Sequence, residues 1–114
     1  MARRLKSQPG LAPSLILIET TNSLLKYLRA GQITEADVER AIRSLSVALD
    51  EIVDAVLLLP AATKIAAVNN HKIYDCLYLA LAIERREPLA TADRRMAALA
   101  KSLGIDTHLI EPAL

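Results

Sequence analysis

Apolar residues recur at helical spacing in the first half of the chain and indicate two helices. The segment 14–30 starts at Pro13-Ser14, carries apolar side chains three and four residues apart, and meets Gly31. A Pro or Ser start and a Gly stop are the usual signals of helix ends, so a helix is predicted over 14–30. A second helix is predicted over 35–50, because Thr34-Glu35-Ala36-Asp37 resembles a capping box and apolar positions again recur at helical spacing.

Short apolar segments alternate with helical segments from residue 52 onward. Residues 52–59 are β-branched at the start and end at Pro60, which favours a buried strand over a helix. The later predicted elements are a short helix over 61–69, a long helix over 74–86, a strand over 88–91, a helix over 94–103 and a strand over 107–110. Such alternation is typical of βαβ units around a mostly parallel sheet, so the predicted fold class is an α/β sandwich.

Length and composition fit one globular domain. The 114 residues are 53% hydrophobic without Phe or Trp, which is enough for one aliphatic core. Charged residues or Pro60 interrupt every apolar run well before the ~18 residues that span a bilayer, so no transmembrane segment is predicted. The basic start is followed by polar residues 7–10 where a signal peptide needs an apolar stretch. Cys76 has no disulfide partner in the chain and is expected to be a buried hydrophobe, which fits a reducing cytoplasm.

Three acids stand in segments that are otherwise apolar. Asp75 lies within the apolar run 73–83, Glu19 ends the run 15–18, and Asp93 closely follows the predicted strand 88–91. An ionised carboxylate in such surroundings is unfavourable unless something pairs with it. Mg²⁺ and Mn²⁺ prefer a few carboxylates plus waters, so the acids indicate a metal site. In α/β folds ligands lie beyond the carboxyl ends of strands, which is where Asp93 is expected.

Each acid also has a simpler explanation. Asp75 and Asp93 stand near predicted helix starts, where Asp is a favoured N-cap. For Asp75 the cap and the metal ligand are equally supported, and for Asp93 alone the cap is favoured. Glu19 lies inside its helix, where contact with solvent or an Arg explains it as well as a metal does. Asn22 is one turn further on, close enough to share a ligand or a water with Glu19.

Other chemistry has little support. The net charge is only +1, and basic pairs such as Arg85-Arg86 and Arg94-Arg95 are more often solvated helix faces than phosphate contacts. His71 and His108 lie far apart in the sequence with no nucleophile pattern beside them, so each is expected at the surface or at a strand end. Three glycines form no phosphate-binding loop, and no zinc spacing is present.

Three motifs together resemble the PIN domain, and more narrowly the VapC-type toxins of bacterial toxin–antitoxin pairs. The motifs are Ala12-Pro13-Ser14-Leu15-Ile16-Leu17-Ile18-Glu19 with Asn22 a turn later, Tyr74-Asp75-Cys76-Leu77-Tyr78-Leu79-Ala80-Leu81-Ala82, and Pro88-Leu89-Ala90-Thr91-Ala92-Asp93-Arg94-Arg95. Their order and spacing match across residues 11–110. The resemblance implies a single PIN-like domain over 1–114 with a three-layer α/β/α sandwich and a short, mostly parallel sheet.

The same resemblance implies a metal-dependent endoribonuclease. Glu19, Asp75 and Asp93 would hold Mg²⁺ or Mn²⁺, and a metal-activated water would attack the RNA backbone. The residues expected to bind substrate are Asn22, Thr91, Arg94 and Arg95. The partners implied are an RNA substrate, a second copy of the chain in a homodimer, and a small cognate antitoxin.

The sequence departs from the family at its start. The family opens with an apolar strand that ends in Asp and is central in the sheet, whereas no acid precedes Glu19 and residues 1–9 hold no such strand. Two interpretations remain: the natural protein is longer, or the chain is a remnant that dimerises or binds an antitoxin without a complete site. A third function, a helical DNA-binding regulator, ranks last because no polar and basic recognition helix stands out.

Overall fold

The computed structural model describes residues 10–111, which form five helices and four short strands. In chain order the elements are β1 (Leu11–Pro13), α1 (Leu15–Arg29), α2 (Glu35–Ala48), β2 (Glu51–Val53), α3 (Ala55–Asn69), α4 (Ile73–Arg85), β3 (Leu89–Thr91), α5 (Arg94–Ser102) and β4 (Thr107–Leu109). The predicted α/β class is confirmed.

The strands pair in parallel, as expected, but in two separate pairs. Strand β1 pairs with β2 in the register Leu11 to Glu51, and β3 pairs with β4 in the register Leu89 to Thr107. Within residues 10–111 the strands therefore make two two-stranded sheets where one short sheet was expected. The prediction of a missing first strand concerns residues 1–9, which lie outside the described residues.

The first two helices end close to their predicted positions. At the start of α2, the Asp37 N–H donates to the Thr34 hydroxyl at 3.1 Å, and the Thr34 N–H donates to the Asp37 carboxylate at 2.8 Å. This reciprocal pair confirms the capping box. Beyond α1, Gly31 has a φ of +73°, a left-handed conformation that glycine adopts without the steric cost of a Cβ.

The predicted strand 52–59 is wrong after its first two residues. Strand β2 ends at Val53, and Asp54 then caps α3 by accepting a hydrogen bond from the Val56 N–H at 3.0 Å. Pro60 lies inside α3 and lacks the N–H of a normal helical bond, a defect of about 3 kcal/mol. The Leu- and Ala-rich segment favours a helix, and α3 packs along α4, so the helix continues through the proline.

Strand β1 was not predicted, and its alternating bonding pattern explains how it contains a proline. The Glu51 N–H donates to the Gly10 carbonyl at 3.0 Å, and the Ser14 N–H donates to the Val53 carbonyl at 2.7 Å. Residues 10, 12 and 14 therefore face β2, and Pro13 stands at a position that faces away. No N–H is needed there, so Pro13 does not interrupt the pairing.

Helix α4 is the centre of the core. Seven consecutive residues, 76–82, are buried, and Ala12, Val53, Leu58 and Leu89 pack into the same cluster. Cys76 is fully buried, and burial raises the pKa of its thiol, which confirms the expected small hydrophobe.

No helix within residues 10–111 is long and apolar enough to cross a membrane.

Candidate functional site

The three acids come from three different elements. Glu19 lies in the second turn of α1, the helix that follows β1. Asp75 lies in the first turn of α4, and Asp93 lies between β3 and α5. Two of the acids thus follow the carboxyl ends of parallel strands, the place where α/β folds bind ligands.

Tyr78 links α4 to Glu19. Its hydroxyl donates a hydrogen bond to the Glu19 carboxylate, although the two residues are far apart in sequence. Burial, with the hydrogen bond to Glu19 and the charges of Glu19 and Asp75, raises the pKa of Tyr78. The Tyr78 hydroxyl therefore keeps its proton at neutral pH and can donate it to the Glu19 carboxylate.

His71 pairs with Asp75. The His71 Nε2 lies 2.8 Å from the Asp75 Oδ2, and the His71 side chain is only 5% exposed. The prediction that His71 is a surface or strand-end residue is wrong, whereas His108 does stand exposed on β4. The N-cap of α4 is Lys72, so the cap interpretation of Asp75 is also wrong.

Asp93 is the N-cap of α5, as its position in the sequence favoured. Its carboxylate accepts a hydrogen bond from the Met96 N–H at 3.0 Å. That bond, a second from the Arg95 N–H, and the positive charges of His71 and Lys72 lower the pKa of Asp93. The Asp93 carboxylate is therefore ionised at neutral pH.

Thr91 supports the turn that carries Asp93. It is 1% exposed, and its hydroxyl accepts a hydrogen bond from the Asp93 N–H at 3.1 Å. The same hydroxyl lies 3.8 Å from the Met96 sulfur. These contacts fix the start of α5, and a contact between Thr91 and substrate stays a prediction.

The other predicted substrate-binding residues lie at the surface. Asn22 is exposed on α1 and lines a shallow groove of about 390 Å³ between α1 and α2. Arg94 is exposed and lies 3.3 Å from Glu111. Arg95 donates to the Asn70 carbonyl at 3.2 Å, which fixes the start of α5 beside the turn that carries His71. Their contact with RNA stays a prediction.

The donor chemistry of the acids fits a hard cation, but their spacing is open. Carboxylate oxygens are the ligands that Mg²⁺ and Mn²⁺ prefer. Among residues 10–111 no three His, Cys, Asp or Glu side chains lie close enough together to hold one ion. The described residues therefore carry donors of the right chemistry but no group arranged to hold an ion.

Thr20 adds a polar atom that lacks a partner beside Glu19. Its hydroxyl is the one buried side-chain oxygen or nitrogen in the described part of the chain without a hydrogen bond. Thr20 lies one turn after the buried Ile16, on the same side of α1. A buried hydroxyl of this kind is normally satisfied by water or a ligand.

Sequence reasoning missed His71 and Tyr78 as site residues. A helical signal was nevertheless present, because the two residues stand four before and three after Asp75, spacings that place side chains on one helix face. His71 lies just before α4, and its imidazole contacts Asp75 in the first turn of that helix.

Comparison with known proteins gives the family of the chain. The PIN domain family matches residues 2–102, which is most of the chain. No curated protein is significantly similar to it. PIN domains are generally nucleases that depend on a divalent metal, and that chemistry fits a site of acids at the carboxyl ends of parallel strands. The chain belongs to the PIN domain family.

Proposed function

We propose that the chain is a metal-dependent endoribonuclease of the VapC toxin type. One observation supports the proposal most strongly: two of the acids, from two different elements, each bond to a buried side chain on or just before α4. Tyr78 bonds to Glu19 on α1 and lies one turn from Asp75, and His71 bonds to Asp75.

The proposal gives the acids and the two arginines different roles in the reaction. Glu19, Asp75 and Asp93 would hold Mg²⁺ or Mn²⁺. When bound, such an ion supplies a water of lowered pKa and offsets the charge that builds on the phosphate. Arg94 and Arg95 begin α5 directly after Asp93, and in this proposal they contact phosphates of the RNA backbone. RNA as substrate implies a cytoplasmic location.

The proposal predicts RNA cleavage that requires a divalent ion. Incubation of the chain with a fluorescently labelled RNA and millimolar Mn²⁺ is expected to give discrete fragments, which gel electrophoresis resolves. Excess EDTA is expected to stop the reaction, because the acids lack the ion that positions water and phosphate. Cleavage that persists in EDTA would contradict the proposal.

A second candidate follows from the open spacing of the acids. A chain whose acids do not assemble around an ion would be a catalytically incomplete PIN domain that serves as a dimerisation or antitoxin-binding module. Two features of residues 10–111 favour this alternative. No three His, Cys, Asp or Glu side chains lie close enough together to hold one ion, and the strands form two separate pairs. The cleavage experiment separates the two, because the incomplete domain leaves the RNA intact with or without Mn²⁺.

Both candidates include a homodimer and a small cognate antitoxin as partners. The predicted dimer contact is the aliphatic surface of α1 and α2, where Ile18 is 67% exposed and Val47 is 81% exposed. Exposed aliphatic side chains of this size next to a groove favour association with another protein surface.

Light scattering at micromolar concentration tests the dimer. We expect twice the 12.4 kDa mass of the chain, and a monomer for Ile18→Lys, because a charge in a buried contact is unfavourable. Leu57→Lys is the matched control, since Leu57 is 74% exposed on α3, outside the proposed contact. A wild-type chain that runs as a monomer would refute this assembly.

A further inference from the structure

The start of α4 exposes an aromatic ring and a positive charge. Tyr74 is 57% exposed in the first turn of the helix, directly before Asp75. Lys72 is also exposed and is the N-cap of the same helix. Within residues 10–111 the Lys72 ammonium makes no hydrogen bond or ion pair. Both groups are therefore open to a ligand at the turn that carries Asp75.

A hydrogen bond places this turn beside α5. The Arg95 guanidinium donates to the Asn70 carbonyl at 3.2 Å, so the residues just before α4 lie against the start of α5, which Asp93 caps. The hydrogen bond from the Met96 N–H is the largest cause of the lowered pKa of Asp93, and the charge of Lys72 contributes to it. Lys72 therefore stands where the start of α4 meets the start of α5.

We propose that Tyr74 and Lys72 bind the RNA substrate, Tyr74 by stacking on an unpaired base and Lys72 by contact with a neighbouring phosphate. This inference rests on the proposed nuclease function. Proteins bind single-stranded nucleic acid through basic groups along the backbone and aromatic side chains that stack on bases. The other two tyrosines do not fit this role, because Tyr78 is only 7% exposed and the Tyr27 ring lies 5.1 Å from the Lys26 ammonium.

Lys72 differs from the two arginines that follow Asp93 in having no partner to give up. Arg94 lies 3.3 Å from Glu111, and Arg95 is bonded to a backbone carbonyl. Contact of either arginine with a phosphate competes with an existing protein contact. The charge of Lys72 is unpaired, so a phosphate that approaches the start of α4 meets it directly.

Fluorescence anisotropy with a labelled single-stranded RNA in EDTA tests the stacking contact separately from cleavage. We expect Tyr74→Leu to raise the Kd about tenfold because one stacked base is lost, and Tyr74→Phe to keep the wild-type Kd because the ring remains. Tyr27→Leu is the matched control, since Tyr27 is 42% exposed on α1, and its Kd should equal that of the wild type. For a duplex RNA, Tyr74→Leu should leave the Kd unchanged, because paired bases are already stacked on one another.

The salt dependence of the same binding tests the phosphate contact. Each phosphate that a cation neutralises in a single strand adds about 0.7 to the slope of log Kd against log salt concentration. We therefore expect Lys72→Gln to lower that slope by about 0.7. Lys64→Gln is the matched control, because Lys64 is exposed on α3, and it should keep the wild-type slope.

The outcomes separate this inference from the proposed function. A wild-type Kd for single-stranded RNA in Tyr74→Leu would overturn the stacking contact, and an unchanged slope in Lys72→Gln would overturn the phosphate contact. Absence of wild-type binding in EDTA would overturn both, since neither contact needs an ion. If the wild type also fails to cleave RNA with Mn²⁺, the proposed nuclease is refuted together with this inference, whereas wild-type cleavage beside unaffected variants refutes the inference alone.

Discussion

Asp75→Asn is expected to abolish metal-dependent RNA cleavage while the chain stays folded. The amide keeps the shape of the side chain, and because it has both an accepting oxygen and a donating NH2 group it can still bond to the His71 Nε2 at the site of the present 2.8 Å contact. The negative charge that attracts the ion is lost. A metal ion contributes several kcal/mol of charge stabilisation in the transition state, and about 1.36 kcal/mol corresponds to a factor of ten in rate. We therefore expect a loss of at least about a hundredfold.

The cleavage rate and the melting temperature with Mn²⁺ measure this effect. An ion that binds only the folded chain raises its melting temperature by mass action, so Asp75→Asn should also lose that rise. Asp106→Asn is the matched control, because Asp106 also faces a histidine, His108, at 3.7 Å but is exposed and stands before β4, whereas Asp93 follows the parallel strand β3. Wild-type cleavage by Asp75→Asn would exclude Asp75 from the reaction.

Local signals predicted the elements that local interactions determine. The capping box at Thr34 and the left-handed Gly31 involve residues within one turn of the helix end, so the sequence displays them directly. The strand prediction for segment 52–59 was wrong for a general reason: a short apolar run suits a buried strand and a buried helix equally well. Its helical state depends on the Asp54 cap and on packing against α4, and the second of these is a tertiary contact.

In the candidate site, too, the sequence indicated the residues that have local signals and missed the contacts between distant residues. Apolar surroundings identified Glu19 and Asp75 as acids that need partners, and the N-cap role of Asp93 followed from its place before a helix. The partner of Glu19 lies 59 residues away, and no local pattern indicates a contact of that range. Strand β1 is three residues long, too short for any periodicity, and it forms only because β2 lies beside it.

Leu79→Ala is expected to be the most destabilising of the substitutions considered, even though Leu79 is not a candidate site residue. Leu79 is fully buried in α4, the helix that carries Asp75 and Tyr78, and its loss leaves a cavity in the shared core. Substitutions of this kind reduce the free energy of unfolding by about 2–5 kcal/mol, out of the roughly 5–15 kcal/mol of a typical domain.

Urea denaturation of Leu79→Ala beside Val68→Ala measures the effect of the core contact. Val68 is 82% exposed on α3, so its truncation should change the free energy of unfolding by less than about 0.5 kcal/mol. A large difference between the two variants is expected because only Leu79 loses packing on all sides. Equal urea midpoints for the two variants would mean that α4 is not the centre of the core. They would also contradict the placement of Asp75 and Tyr78 on a rigid, buried helix. Mn²⁺ should restore part of the stability of Leu79→Ala, since the acids remain and an ion bound to the folded chain adds free energy by mass action.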